Sequence, residues 1–241
     1  MEKIYTIPVN EAFDKSAEDK SCGCPFCAIE RMLEENELEI ILGAAMMEPD
    51  IRIETNRLGF CAEHLDKMFE RKNRLGLALM LESHLDEWRG KLKPSGIAAL
   101  AASPEKRINQ IKELSDGCYV CKRAAFHFEK MNETAVILWD EEKEFRDKFA
   151  KQPYFCTEHY AKMLQYAKKR LSKKRFSEFS AAADEVFFSY YDKLREDIKW
   201  FIKKFDYRYD EEPWKDSKDA VERAIKFLSK ERESAANTKK S

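Results

Sequence analysis

Eight cysteine and histidine residues occur at spacings that suit metal binding. They form four pairs, two CxxC and two CxxH, and the CxxH pairs follow the CxxC pairs after 33 and 34 intervening residues. The two CxxC pairs are 94 residues apart and the two CxxH pairs 95 apart, which indicates a duplicated module. In chain order the pairs are Cys24-x2-Cys27, Cys61-x2-His64, Cys118-x2-Cys121 and Cys156-x2-His159.

Each CxxC pair and the CxxH pair that follows it together supply four ligands. Three thiolates and one imidazole are a ligand set of tetrahedral structural zinc, with bonds of about 2.3 Å to sulfur and about 2.0 Å to nitrogen. The sequence therefore predicts two zinc ions. One is assigned to Cys24, Cys27, Cys61 and His64, and the other to Cys118, Cys121, Cys156 and His159.

Two other interpretations of these residues stay open. The cysteines can be reduced and buried as small hydrophobic residues, or they can hold an iron–sulfur cluster, whose usual ligands are all cysteine. Cys22 stands outside the pattern. It can replace Cys24 as a ligand or remain a free thiol at the rim of the site.

The segments between the pairs carry helical periodicity, and no stretch shows a comparable strand pattern. We predict an all-α protein of two pseudo-repeated helical modules, each closed by a Cys3His zinc site, with further helices at the C-terminus. The predicted segments are a first zinc-helical module at 1–93, a linker and short helix at 94–117, a second zinc-helical module at 118–172, a C-terminal helical extension at 173–231 and a disordered tail at 232–241.

Several local predictions accompany this division. Pro8 favours an extended stretch at residues 4–9, and one long helix is expected from residue 65 to about residue 93. A long amphipathic helix is predicted at about 175–205. Gly117 is expected to take a left-handed conformation at the end of the preceding helix.

The composition suits a soluble, helix-rich protein with a net charge near zero. Of the 241 residues, 44% are hydrophobic and 37% charged, and the formal net charge is −1. We see no signal peptide and no run of about 18 apolar residues that could cross a bilayer. The expected location is the cytoplasm, where paired cysteines more often bind metals than form disulfides.

Some charged and aromatic features have two interpretations each. Glu63 and Glu158 precede the ligand histidines, and each suits either acid–base chemistry or the positive end of a helix dipole. The basic run 168–175 suits nucleic acid or a solvated helix face. Residues 207–214 mix aromatic, charged and proline residues, and suit either a ligand surface or a clamp on the last helix.

Several motifs together resemble a family of uncharacterised bacterial proteins, found mainly in clostridia and related Firmicutes. The resemblance covers nearly the whole chain and rests on residues 7–13, Cys24-Pro25-Phe26-Cys27, residues 47–52, Gly59-Phe60-Cys61 with His64, residues 205–208 and residues 212–214. Some members carry the label ABC-transporter substrate-binding protein, but this sequence lacks the lipobox cysteine and the alternating βα pattern that such a label implies. The resemblance implies no activity.

We therefore expect a zinc-binding structural or interaction protein, in which the metals stabilise a helical scaffold that binds a protein partner or its own copy. Alternatives are nucleic-acid binding through residues 168–175 and a metal- or thiol-dependent enzyme. No catalytic residue and no membrane partner are predicted, and an enzyme is the less favoured class.

Overall fold

A computed structural model describes residues 3–93 and 103–229, and every regular element in these ranges is helical. The all-α prediction is confirmed. Short 3₁₀ helices occupy Lys3–Tyr5, Lys20–Cys22, Ala44–Met47, Tyr207–Tyr209 and Lys215–Ser217. The α-helices are α1 Thr6–Glu18, α2 Pro25–Leu42, α3 Pro49–Leu58, α4 Ala62–Glu70, α5 Arg74–Leu92, α6 Pro104–Ser115, α7 Tyr119–Glu141, α8 Lys143–Ala150, α9 Thr157–Arg170, α10 Lys173–Lys203 and α11 Ala220–Ser229.

None of these described helices is both long enough and apolar enough to cross a bilayer. Most of the predicted linker, at 94–102, and the predicted disordered tail lie outside the described residues.

The chain divides into two compact units whose bounds differ from those of the predicted modules. Unit one combines residues 1–30 with residues 128–241, and unit two comprises residues 31–127. Both boundaries between the units fall inside helices, one within α2 and one within α7. Unit one is therefore discontinuous in sequence, and its N-terminal piece joins a C-terminal piece that begins about a hundred residues later.

Unit one has an aromatic core. Phe13 of α1 lies 5.4 Å from Phe26 of α2 and 4.9 Å from Phe145 of α8, measured between ring centroids. Phe155, which precedes α9, lies 4.9 Å from Phe149. All five rings are at most 1% exposed. Because buried aromatic side chains contribute large apolar areas, this cluster holds the N-terminal piece against the C-terminal one.

Unit two has a mainly aliphatic core. Leu38 and Ile41 of α2 are fully buried, and they belong to the same cluster as Met68 of α4 and Met80 of α5. Val120 of α7 completes this cluster. Burial of one such side chain stabilises the folded state by roughly 1.5–3 kcal/mol.

Two local predictions are wrong. The stretch predicted as extended, residues 4–9, is instead the end of the 3₁₀ helix Lys3–Tyr5 and the start of α1, in which Pro8 is the third residue. A proline is tolerated in the first turn because the first N–H groups of a helix have no partner within the helix.

The long helix expected from residue 65 is divided into α4 and α5. At the start of α5 the Asn73 side chain accepts a hydrogen bond from Gly76 N–H and donates one to the Leu42 carbonyl.

The segment after α10 is clamped by Lys204. Its ammonium group is buried and donates hydrogen bonds to the carbonyls of Tyr209, Asp210 and Glu212 at 2.6–2.7 Å. The Trp200 indole donates to the Pro213 carbonyl. These contacts fix the segment to the end of α10, and both interpretations of residues 207–214 stay predictions.

Gly117 has a structural role that differs from the predicted left-handed cap. Positive φ angles among the glycines occur at Gly23 and Gly59. Gly117 is instead a point of close backbone approach, because a Cβ atom there would lie 2.3 Å from the Leu58 carbonyl oxygen. Next to it, Tyr119 N–H donates to the Gly59 carbonyl at 2.9 Å.

Replacing Gly117 with alanine should destabilise unit two by about 2 kcal/mol or more, because the new methyl group would meet backbone that cannot move aside cheaply. The measurement is the midpoint of urea unfolding. The matched control is Gly90→Ala within α5, where a Cβ would meet nothing within 4 Å. That variant should be more stable by roughly 0.5–1 kcal/mol. Equal effects of the two substitutions on the unfolding midpoint would contradict the close backbone approach at Gly117.

Candidate metal centres

Each of the four Cys/His pairs occupies the start of a helix. In every pair the first member immediately precedes the helix, at the N-cap, and the second is the third helical residue. The carbonyls of Cys24, Cys61, Cys118 and Cys156 accept the first hydrogen bonds of α2, α4, α7 and α9, from the N–H groups of Ala28, Leu65, Lys122 and Tyr160. Positions three apart at a helix start lie on one side, so each pair presents two ligand atoms together.

The pairs assemble into two groups of four. The outer group consists of Cys24, Cys27, Cys156 and His159, and the inner group of Cys61, His64, Cys118 and Cys121. In each group the ligand atoms all lie within 4.8 Å of one another. All eight predicted residues are thus placed in two Cys3His groups.

The predicted pairing is wrong. Each CxxC pair does not join the CxxH pair that follows it; the first pair joins the fourth, and the second joins the third. The outer group lies wholly in unit one and the inner group wholly in unit two. Cys22 lies in the 3₁₀ helix before Cys24 and belongs to neither group.

In the outer group, the Nδ1 atom of His159 faces the three sulfurs. It lies 3.2 Å from Cys156 Sγ, 3.4 Å from Cys27 Sγ and 3.8 Å from Cys24 Sγ. The sulfurs of Cys27 and Cys156 are 3.7 Å apart. All four residues are at most 1% exposed.

The inner group repeats this arrangement with more solvent exposure. His64 Nδ1 lies 3.1 Å from Cys61 Sγ and 3.4 Å from the sulfurs of both Cys118 and Cys121. The Cys61 and Cys121 sulfurs are 3.9 Å apart. His64 and Cys118 are buried, whereas Cys61 is half-buried and Cys121 is exposed.

These separations fit a single tetrahedral ion. Four ligands at zinc bond lengths place two sulfurs about 3.8 Å apart, and a sulfur and a nitrogen about 3.6 Å apart. The observed distances are 3.7–3.9 Å between the sulfurs quoted above and 3.1–3.8 Å between sulfur and nitrogen. Small side-chain rotations are enough to reach ideal coordination.

The chain matches a protein family along almost its full length. Residues 1–235 match a family of unknown function, DUF6062. This chain belongs to the DUF6062 family. No curated protein matches it, and no solved structure does. The family assignment confirms the resemblance that the motifs indicated, and the chemistry of this DUF6062 member has to be argued from its own residues.

A carboxylate behind each histidine extends the sites beyond their ligands. Glu30 Oε2 lies 3.1 Å from His159 Nε2, the ring nitrogen that faces away from the sulfurs. Glu34 Oε2 lies 3.8 Å from His64 Nε2 and 2.8 Å from Lys67 Nζ. His64 Nε2 has no hydrogen-bond partner among the described residues. Such carboxylates orient a ligand histidine and make it more basic.

Sequence analysis missed both carboxylates. They lie four residues apart on α2, a spacing that places them on one face of the helix that begins with the first CxxC pair. Glu63 and Glu158 each form an ion pair with a lysine one turn later, which agrees with the structural interpretation.

Protons and metal ions compete for these groups. Burial disfavours a charged imidazole, but contacts with Cys156 and Cys27 raise the pKa of His159 to about 11. In the inner group the neighbouring Cys121 thiol lowers the pKa of Cys118 to about 3. Without metal, each group pairs an imidazolium with a thiolate. Because a metal needs neutral imidazole and deprotonated sulfur, its binding should release protons and weaken as the pH falls.

The helix starts favour negative charge at both groups. Each group joins the N-termini of two helices, whose dipoles and unpaired N–H groups stabilise thiolates. In the inner group Cys121 N–H also donates to Cys118 Sγ at 3.5 Å. Three thiolates around a divalent ion leave a net charge of about −1, and this is the charge that helix N-termini stabilise.

Paired substitutions distinguish the observed nested pairing, first pair with fourth and second with third, from the sequential pairing of each CxxC pair with the CxxH pair that follows it. Cys24→Ser with Cys156→Ser should remove one equivalent of bound metal, because both residues belong to the outer group. Cys24→Ser with Cys61→Ser should remove both equivalents, because each group loses a ligand. The measurement is metal content per chain after purification, and sequential pairing predicts the opposite pattern. Cys22→Ser is the control and should retain both equivalents.

The carboxylate behind His159 should affect metal affinity. Glu30→Gln should weaken the outer site about 10- to 100-fold, because loss of such an orienting partner typically has this effect. Glu34→Gln is the matched variant on the same helix, and it should have a smaller effect because Glu34 is beyond hydrogen-bond distance of His64. Competition with a chromophoric chelator measures the metal affinity of both variants. An equal or larger loss of affinity in Glu34→Gln would contradict this ranking.

Proposed function

We propose that this protein is a zinc-binding structural protein, in which two ions hold pairs of helix N-termini together and stabilise a helical scaffold that binds a protein partner or a second copy of the chain. The observation that carries the proposal is that two separate groups each bring four ligand atoms within 4.8 Å of one another.

Zinc fits these groups better than an iron–sulfur cluster. In each group the four ligand atoms lie within 4.8 Å of one another, close enough to share one tetrahedral ion. A cluster spreads its ligands over several irons, and its usual ligands are all cysteine. Each group here includes a histidine whose Nδ1 faces the sulfurs.

A structural role follows from the ligand count. Catalytic zinc sites keep one position for water or substrate, whereas structural sites are closed by four protein ligands. Both groups here offer four. They also connect distant parts of the chain, since Cys27 and Cys156 are 129 positions apart and Cys61 and Cys121 are 60 apart. Because the metal binds only the folded state, the free energy of metal binding adds to the stability of the fold.

Purified protein should contain two equivalents of zinc and be colourless. A chelator should remove them in two phases, the inner ion first, because Cys121 is exposed whereas the outer ligands are buried. Helix content measured by circular dichroism should fall as the ions leave. In the Cys24→Ser, Cys156→Ser variant only the fast phase should remain.

Well under two equivalents of zinc, with no loss of helix on chelation, would refute the structural role. A brown protein with charge-transfer absorption in anaerobic preparations would point to iron–sulfur instead.

Exposed apolar side chains support the interaction part of the proposal. Ile202, Phe205 and Tyr207, near the end of α10, are 64%, 75% and 87% exposed. Exposed apolar patches are typical of contact sites between proteins. Ile202 lies in the last turn of α10, and Phe205 and Tyr207 follow shortly after the helix ends at Lys203.

Sedimentation velocity over a range of protein concentrations tests association with a second copy. The wild type should shift to a larger species as concentration rises, and Ile202→Ser with Phe205→Ser should remain monomeric because the apolar contact is lost. The control is Ile40→Ser, which alters a half-exposed apolar residue on α2. A wild type that is monomeric throughout would exclude the second copy as the partner.

Nucleic-acid binding through residues 168–175 stays a prediction without a supporting contact. Arg175 bonds Asp140 at 2.5 Å, and Arg170 lies 3.8 Å from Glu133. Lys168, Lys169 and Arg170 lie in the last turn of α9, where positive charge stabilises the helix dipole. These ion pairs and the position at the end of the helix give the basic residues of 168–175 a role in stabilising the fold.

A further inference from the structure

Unit one contains a cavity that the zinc proposal does not use. Its volume is about 660 Å³, within the range of small-molecule sites. The walls come from four places in unit one: the 3₁₀ helix Lys20–Cys22 with Gly23, the segment between α8 and α9, one face of α10, and α11 with the residue before it.

Two bases in the cavity lining are available to a ligand. The lining holds four bases and two acids, Glu185 and Asp219, and Glu185 is exposed. Arg223 lies 3.0 Å from both Asp197 and Asp219, and Lys193 lies 3.1 Å from Asp216. Lys20 and Lys226 line the same cavity, are exposed, and have no ion-pair partner among the described residues. Two ammonium groups are thus available to a negatively charged ligand.

The buried side chains of the lining are those of Tyr154, Val186 and Gln152, two of them apolar or aromatic and one a polar amide. Tyr154 is buried and stacks on Tyr190 of α10, with ring centroids 4.3 Å apart. Val186 of α10 and Pro153 also line the cavity. Such a surface accepts a flat or apolar group, while the ammonium groups lie at the exposed part of the lining.

We infer that this cavity binds a small organic anion, a phosphate monoester or a carboxylate, with an apolar or aromatic body. The negative group lies between Lys20 and Lys226, and the body lies against Tyr154, Tyr190 and Val186. Both anions are recognised by the same ammonium groups as point charges. The apolar body supplies the affinity that two exposed charges alone do not.

The cavity also depends on the outer Cys/His group for its shape. Gly23, with φ of 73°, immediately precedes Cys24, and its carbonyl accepts a hydrogen bond from Ser16 Oγ. Pro153 and Tyr154 lie two or three residues before Cys156. A metal bound between Cys24 and Cys156 therefore holds two walls of the cavity in position.

Isothermal titration of the zinc-loaded full chain tests the inference with phenyl phosphate and benzoate as probes. At least one should bind saturably with a dissociation constant below about 1 mM. Benzamide, which lacks the charge, and inorganic phosphate, which lacks the body, should each bind at least tenfold more weakly. The stronger of the two aromatic anions identifies the anion class.

The decisive variant is Lys20→Glu with Lys226→Glu, which should weaken binding of the preferred probe at least tenfold. Both residues are exposed, and circular dichroism with zinc content confirms that the variant is folded. The matched control, Lys168→Glu with Lys169→Glu, reverses two exposed charges that do not line the cavity and should change binding less than twofold.

Three results would overturn the inference. One is the absence of saturable binding by both aromatic anions at millimolar concentration. The others are equal binding of benzamide, and binding that is unaffected by the change at Lys20 and Lys226. Each of these can occur in a protein that retains both zinc ions, so failure here is distinguishable from failure of the zinc proposal.

Discussion

Each Cys/His group joins two helix N-termini that are distant in the sequence, and the local geometry of those N-termini makes the groups possible. The N-cap residue and the third helical residue lie on one side of the helix start, so CxxC and CxxH both present two ligand atoms in one direction. The unpaired N–H groups and the dipole of the same helix favour the negative charge of thiolates. One structural element therefore both positions the ligands and stabilises their charged form.

The two Cys/His groups differ in their surroundings, and ions bound at them would differ in how readily they are lost. The outer group is buried, and the rings of Phe26 and Phe128 lie 5.9 and 5.0 Å from His159. The inner group has an exposed cysteine, and its histidine lies farther from its carboxylate. Burial and a close carboxylate both slow the loss of a bound ion, so an ion at the outer group would be the more slowly lost of the two.

The repeat predicted from the ligand spacing does not extend to the residues around the ligands. Glu30 and Glu34 of α2 correspond, 94 residues on, to Ala124 and Phe128 of α7. Phe128 packs beside His159, whereas both carboxylates behind the histidines come from α2. The ligands must be retained for coordination, but their neighbours are free to change because each site can be supported in several ways.

Prediction from sequence was accurate where neighbouring residues decide the structure. The helix at Lys173–Lys203 has strong apolar periodicity, and its bounds are close to the predicted 175–205. The N-terminal stretch was predicted wrongly because Pro8 is tolerated in a first helical turn. The close approach of Gly117 to Leu58 was missed because these residues are far apart along the chain, and only the packing of unit two brings their backbones together.

The sequence by itself determined the all-α class, the eight ligand candidates and their Cys3His composition, because these depend on residue type and on spacing within one helical turn. The tertiary structure alone decided which pairs share a site. A gap of about 33 residues is too long for local geometry to select a partner, and closing a longer loop adds only about 0.6 kcal/mol per doubling of its length. That small cost leaves the choice to packing, and the aromatic core of unit one and the aliphatic core of unit two place the first pair beside the fourth and the second beside the third.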